Sequence, residues 1–390
     1  MRPFLLIALF FLILGKPSPT IGQMHAELEA VWQALRHIDS EASPNSDWWQ
    51  GIHPKRIHGP TWRSFELQEK GYREQLEVLE AMNPDNLSKQ DQINWAVLKM
   101  KARDQVSHIQ YKQVLIPFNA EGGFFNEPAF FLPNLPFETV KDYEAYLNWW
   151  PSFGTYLKAY QDLVKQGMAE GIVAPEVIVK NNLKLLKPWT QAELGHHPFG
   201  HPFSDFPSAI SPAEQSQLQE KATAAFSEHL LPAYQGLTDF LEKEYLPACP
   251  PQPGVSNLPG GAMFYENRIQ HFTTLPISAD SVFQRGEEEV ARIRQKMEAI
   301  IEEVEFEGSF GDFLDFLRTD PQFYAKTPAE LLSRAAWLSK QAEAKLPELF
   351  SHLYELPFTV EPVPDAIAPN YTGGRYVPGS RKLNQAGIYW

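Results

Sequence analysis

Nearly every long segment of this chain repeats its apolar residues at helical spacing and begins or ends at a residue that caps helices. That combination restricts the fold to one built mainly of packed helices. The longest stripe is Val282, Gly286, Val290, Ile293, Met297, Ile300, Ile301 and Val304, with Ser278 placed to cap it and Gly308 to close it. Thr327-Pro328-Ala329-Glu330 reads as a capping box with proline at the first helical position. Leu331, Leu332, Ala335, Leu338 and Ala342 follow it as a stripe. Upstream, Leu28, Val31, Trp32 and Leu35 share a face, and Ser88 with Asp91 marks a helix start ahead of Ile93, Val97 and Met100. Tyr143, Leu147 and Trp150 run to Pro151, and a stripe from Leu157 to Met168 runs on towards Gly171.

Strand signals are confined to Val114–Phe118, Phe358–Glu361 and the Gly- and Tyr-rich tail Asn370–Trp390. The 33 prolines collect in joints at Glu127–Phe137, Pro198–Pro212 and Leu246–Pro259, where proline's missing N–H breaks a helix. The expected fold is mainly α: a multi-helix, bundle-like architecture with a small β-sheet towards the C-terminus. A subdivision falls near 246–259, and no internal repeat is present.

The net charge of −14, with no block of Lys or Arg, argues against nucleic acid or an anionic membrane surface as partner. Residues 1–22 read as a signal peptide: Arg2, the apolar run Phe4–Leu14, then Thr20-Ile21-Gly22 ahead of Gln23. The apolar run is short for a bilayer span, so the mature part, 23–390, is expected to be secreted or periplasmic, with no membrane contact beyond the signal. Cys249 is the only cysteine, which excludes an internal disulfide and leaves stability to packing.

Three local clusters invite a functional reading. His196, His197 and His201 have residue types suited to zinc, but Pro198, Gly200 and Pro202 interrupt a helix there, so a solvated loop is expected instead. Glu287, Glu288 and Glu289 read as a solvated helix face. Trp48-Trp49 and Trp149-Trp150 could form a ligand platform, although the spacing around Trp150 favours core packing. No metal ligand and no catalytic residue is assigned within the chain.

From Leu258 onward the order of motifs is more specific. Leu258-Pro259-Gly260-Gly261, then Tyr265, Arg268, His271 and Thr273-Thr274, lead into Glu289–Ile293 with Met297, and then Gly308-Ser309-Phe310. Leu317–Pro321, Ala368–Thr372, Tyr376, Pro378–Ser380 and Gly387-Ile388-Tyr389 complete the series. In this order the chain resembles the domain of unknown function 885 family over essentially its whole mature length. The resemblance implies a zinc metallopeptidase-like, zincin-related protein, of a family whose members are secreted or cytoplasmic. In such proteins the two His of a H-E-x-x-H helix bind the metal and its Glu acts as general base. The chain departs from that pattern, because none of its His is followed by Glu. By resemblance the motif should lie roughly 20–30 residues beyond Trp390, so zinc is expected only in a full-length relative and the chain by itself is expected to be inactive. Phe283 is a second departure, standing where relatives carry His.

By the same resemblance Asn370, Tyr371, Arg375 and Tyr376 are the candidates for substrate contact, the alternative being that they only shape a turn at Gly373-Gly374. An edge strand shortly before the zinc helix can pair with an extended peptide, and these side chains would offer a phenol and a cation to it. Ala386–Trp390 reads as a strand needing neighbours, so the final stretch is expected to lie uncovered. Two readings follow: the N-terminal part of a secreted zinc metallopeptidase-like protein that hydrolyses peptides when intact, or a non-catalytic secreted helical module that binds peptides or is vestigial.

Overall fold

The computed structural model describes residues 24–42, 51–132, 135–353, 356–364, 368, 371, 373–381 and 385–390. The proposed signal, Trp48-Trp49 and Asn370 lie outside them. The fold is mainly helical with a small C-terminal sheet.

Three helices open the chain: α1 (Ala26–Ala42), α2 (Trp62–Ala81) and α3 (Lys89–Gln110). They close on Leu28, Val31, Leu35, Tyr72, Leu79, Leu98, Ala102 and Val106. Ser88 caps α3 by accepting the Asp91 N–H at 3.1 Å. The buried stripe of α3 differs from the expected one. Ile93, Val97 and Met100 are exposed, whereas Leu98, Ala102, Val106 and Ile109 are buried. The helix carries two apolar faces, and contact with α1 and α2 selects the second.

A short hairpin follows, β1 (Phe118–Asn119) with β2 (Gly122–Gly123). The expected strand over Val114–Phe118 is mostly replaced by a 3₁₀ turn at Gln113–Leu115, because Val114 and Leu115 are buried against Leu163 and Ile172. Helices α4 (Glu127–Phe131), α5 (Val140–Asn148), α6 (Phe153–Ala169), α7 (Glu176–Trp189), α8 (Pro212–Ala225) and α9 (Leu231–Phe240) enclose the main core. That core is aromatic. Trp149, Trp150, Phe153, Tyr146, Phe199 and Tyr234 are fully buried and meet edge to face or tilted, as at Trp149–Phe199 and Tyr146–Trp150. The ring quadrupole favours such contacts over face-to-face stacking. The run α8–α9 continues through π turns at Phe226–Leu230 and Leu241–Tyr245. Each lies just before a proline, Pro232 or Pro247, and the wider turn accommodates the missing N–H.

Beyond Leu246–Leu258 come α10 (Gly261–Thr273), α11 (Ala279–Glu303), α12 (Phe310–Thr319) and α13 (Pro328–Leu349). The predicted caps are present: Ser278 accepts the Ser281 N–H and Thr327 the Glu330 N–H. Glu330 reaches back to the Lys326 N–H at 2.8 Å, one residue earlier than a capping box requires. Among the described residues α11 and α13 have no buried side chain, so their apolar stripes, Val290 and Leu331 included, face outward. Glu287 and Glu288 are exposed, and Glu289 pairs with Arg285 and Arg292.

The sheet has the order β3 (Phe358–Val360), β5 (Gly387–Tyr389), β4 (Tyr376–Val377), with β3 parallel and β4 antiparallel to β5. The final stretch is therefore not left without neighbours. β5 is the central strand, and the Trp390 N–H donates to the Arg375 carbonyl at 2.9 Å.

Candidate functional site

A cleft of about 840 Å3 separates the β1–β2 hairpin and α4 from the C-terminal sheet. Each wall follows from local chemistry. Gly122 has φ +141°, a backbone conformation open to glycine. The neighbouring Gly123 N–H donates to Asn126 Oδ1 at 2.8 Å. A Cβ on Gly123 would overlap Phe118. The two glycines thus let a tight hairpin lie against the start of α4, and this brings Glu121, Asn126 and Glu127 to one rim.

The opposite wall is one face of the sheet. Register sets Thr359, Ile388 and Val377 side by side across β3, β5 and β4, and all three line the cleft with Arg375 and Trp390. Alternation along a strand sends Tyr376 to the other face, where a Cβ on Gly387 would overlap its hydroxyl. Glycine at 387 makes room for that ring.

The two walls meet at an ion pair. Arg375 Nη2 donates to both Glu121 carboxylate oxygens, at 3.0 and 3.1 Å. The Arg375 guanidinium also lies 5.0 Å from the Tyr371 ring centroid, and that ring meets Trp390 edge-on. Glu127 opens onto the cleft, yet protein packs closely around its carboxyl. Burial pushes its pKa above the usual carboxylate range, and the Tyr156 hydroxyl, donating at 3.4 Å, offsets this only in part. With Glu361 also on the lining, carboxylates outnumber the single arginine.

Of the four residues singled out from the sequence, the structure places Arg375 on the cleft with Tyr371 packed against its guanidinium, turns Tyr376 away and does not describe Asn370. Glu121, Asn126, Glu127 and Glu361 were not foreseen. The Gly122-Gly123 pair before Phe124-Phe125 is the one local signal that could have pointed to the hairpin.

The histidine cluster differs from expectation. His197 is 2% exposed, within an aromatic cage of Trp189, Phe199, Phe226 and Tyr234. The segment folds as short 3₁₀ turns, and the His197 Nδ1 accepts the Phe199 N–H at 3.2 Å. Burial lowers its pKa to about 3, so the ring is neutral at physiological pH. His196 and His201 are exposed. Among the described residues no group of three or more His, Cys, Asp or Glu side chains is placed to hold a metal ion. No described helix is long and apolar enough to cross a membrane.

A family model described as a bacterial protein of unknown function (DUF885) matches residues 44–390. No curated protein matches the sequence. The crystal structure of the "putative lipoprotein" from Colwellia psychrerythraea is similar, with a TM-score of 0.83 and 19% identity over 93% of this chain. The chain spans 66% of that protein's length. At this identity the likeness is one of fold.

Proposed function

This chain belongs to the DUF885 family, and from that premise we propose that it is the N-terminal portion of a secreted or periplasmic zinc metallopeptidase-like protein, supplying a peptide-binding cleft while the metal-binding motif lies outside it. The observation that carries the reading is the outer edge of β4 beside the cleft, which no strand among the described residues covers. Arg375 and Trp390 exchange both backbone hydrogen bonds. In an antiparallel ladder such pairs alternate with pairs that make none. Tyr376, opposite Tyr389, therefore directs its N–H and C=O away from β5, towards the open edge. An extended peptide can add there as a further strand, with its side chains reaching Val377, Ile388 and Trp390. Arg375, held by an exposed ion pair that is worth little by itself, can exchange Glu121 for a peptide carboxylate.

Two further features support the assignment to a larger protein. The apolar stripes of α11 and α13 face outward, as suits surfaces that pack against further polypeptide. The chain also matches only part of the Colwellia structure.

The test pairs binding with hydrolysis. The chain should bind unstructured peptides, with slowed amide exchange at Gly374–Val377, and should not cleave them when zinc is added. A polypeptide extended through the downstream reading frame should cleave them. Zinc-dependent cleavage by the chain alone, or an extended frame lacking H-E-x-x-H, would overturn the reading.

A further inference from the structure

A second cavity, about 930 Å3, lies between α3 and α10, remote in sequence from the hairpin and sheet that form the cleft. Its floor is apolar: Trp95, Val97 and Met100, the last two exposed. Its polar lining mixes three cations with side chains that can donate or accept, Ser107, Gln270 and Thr274 among them. Lys99 and Arg103 come from α3, Asn267 and Arg268 from α10, and Asp104 is the one carboxylate among the lining residues.

The cations differ in how firmly they are held. Arg268 is committed. Its Nη1 lies 2.7 Å from Asp104 Oδ1, its Nε and Nη2 donate to Asn267 Oδ1, and both it and Asp104 are largely shielded. His271 Nδ1 shares the same Asp104 oxygen at 3.1 Å. Arg103 is different: its partner Glu80 sits at 2.6 Å, and both side chains are about half exposed. Lys99 touches the same Glu80 only at 3.8 Å while lying over the Trp95 ring. The half-exposed Arg103–Glu80 pair contributes little, so Arg103 can turn to a ligand at small cost, with the more shielded Lys99 beside it. Three cations against Glu80 and Asp104 leave the groove with one net positive charge, histidine uncounted, in a chain of net charge −14. A monoanion balances that charge, and a planar carboxylate matches the arginine fork. The indole, valine and methionine floor suits an apolar body attached to it.

We propose that the groove between α3 and α10 is a second binding site whose ligand is a carboxylate carried on an apolar body. The site goes beyond the peptide cleft and does not depend on it. An acyl chain and the C-terminal end of an apolar peptide share this chemistry.

Calorimetric titration of the chain with octanoate and with N-acetyl-Leu-Phe, against 1-octanol and N-acetyl-Leu-Phe amide, tests the proposal and separates the two sources. At least one acid should bind about tenfold more tightly than its neutral counterpart, the worth of one charge-assisted contact. Arg103→Gln, at an exposed position, should keep the thermal midpoint and lose most of that preference. Arg375→Gln, in the cleft, should leave it unchanged. Octanoate binding alone would identify an acyl ligand, and dipeptide binding alone a peptide end. Equal affinity for acid and neutral forms, no binding of either acid, or a loss caused by Arg375→Gln and not by Arg103→Gln would overturn the proposal.

Discussion

His197 shows how much one side chain can couple this fold to pH. Burial lowers its pKa to about 3, well below the ordinary histidine value of about 6.5, so the folded state holds it neutral while the unfolded chain takes up a proton once the pH falls below that ordinary value. The stability this confers is complete above about pH 6.5 and is lost progressively as pH falls towards 3. Over that window the loss amounts to about 4–5 kcal/mol, an order-of-magnitude figure for a shift of this size. His197→Phe fills the same aromatic cage without a titrating group. It should cost about 1 kcal/mol at neutral pH, because the Phe199 N–H loses its acceptor, and should flatten the stability profile between pH 6.5 and 4. Urea unfolding across that range checks this; an unchanged acid limb would remove His197 as its cause. Neither burial nor cage was legible in the local sequence, where Pro198, Gly200 and Pro202 point to a loop. Trp189 and Phe199 are near His197 in the chain, but Phe226 and Tyr234 arrive from the π turn and α9 and close the cage.

Among the elements, the helix starts were the most legible, because a cap is local chemistry. Ser88→Ala removes the acceptor for the Asp91 N–H and should lower stability by about 1 kcal/mol, measurable as a shifted denaturation midpoint with an unchanged slope. The sheet depends on a longer-range fit. A Cβ on Gly387 would enter the space of the Tyr376 hydroxyl, so Gly387→Ala should force the ring aside and cost about 1–3 kcal/mol, as overpacking typically does. The strain falls at the junction of β4 and β5, so peptide protection at Gly374–Val377 should weaken together with stability. Full protection in the variant would count against the open edge as the peptide's docking line. Which face of α3 packs inward was not legible, since both of its stripes are apolar and the choice belongs to α1 and α2.

At the scale of the whole molecule, the outward stripes of α11 and α13 dominate behaviour in solution. Exposed apolar area of this extent promotes association. The chain should self-associate with rising concentration, and Val290→Gln with Leu331→Gln should raise the monomer fraction without lowering the thermal midpoint, because neither residue is buried. Sedimentation velocity of both forms decides it; a monodisperse parent chain would show that the stripes are not adhesive. Hydrogen exchange should be slow in Tyr146–Tyr156, inside the aromatic core. It should be faster in α11, whose amides have their helical bonds but little packing above them.

The sequence by itself determined the class of fold, the helix starts at Ser88, Ser278 and Thr327, the burial of Trp149 and Trp150, and the family, because periodicity, caps and motif order are written in neighbouring residues. The candidate site was legible only in part: Tyr371 and Arg375 were singled out, but their partners across the cleft were not. Glu121 lies 254 positions before Arg375, and nothing near either residue announces the other. Tertiary structure alone decided that pairing, the turn of Tyr376 to the far face, the choice between the two apolar faces of α3 and the burial of His197. Each depends on which distant surface arrives to exclude water, and that is a property of the packed molecule and of no single stretch of chain.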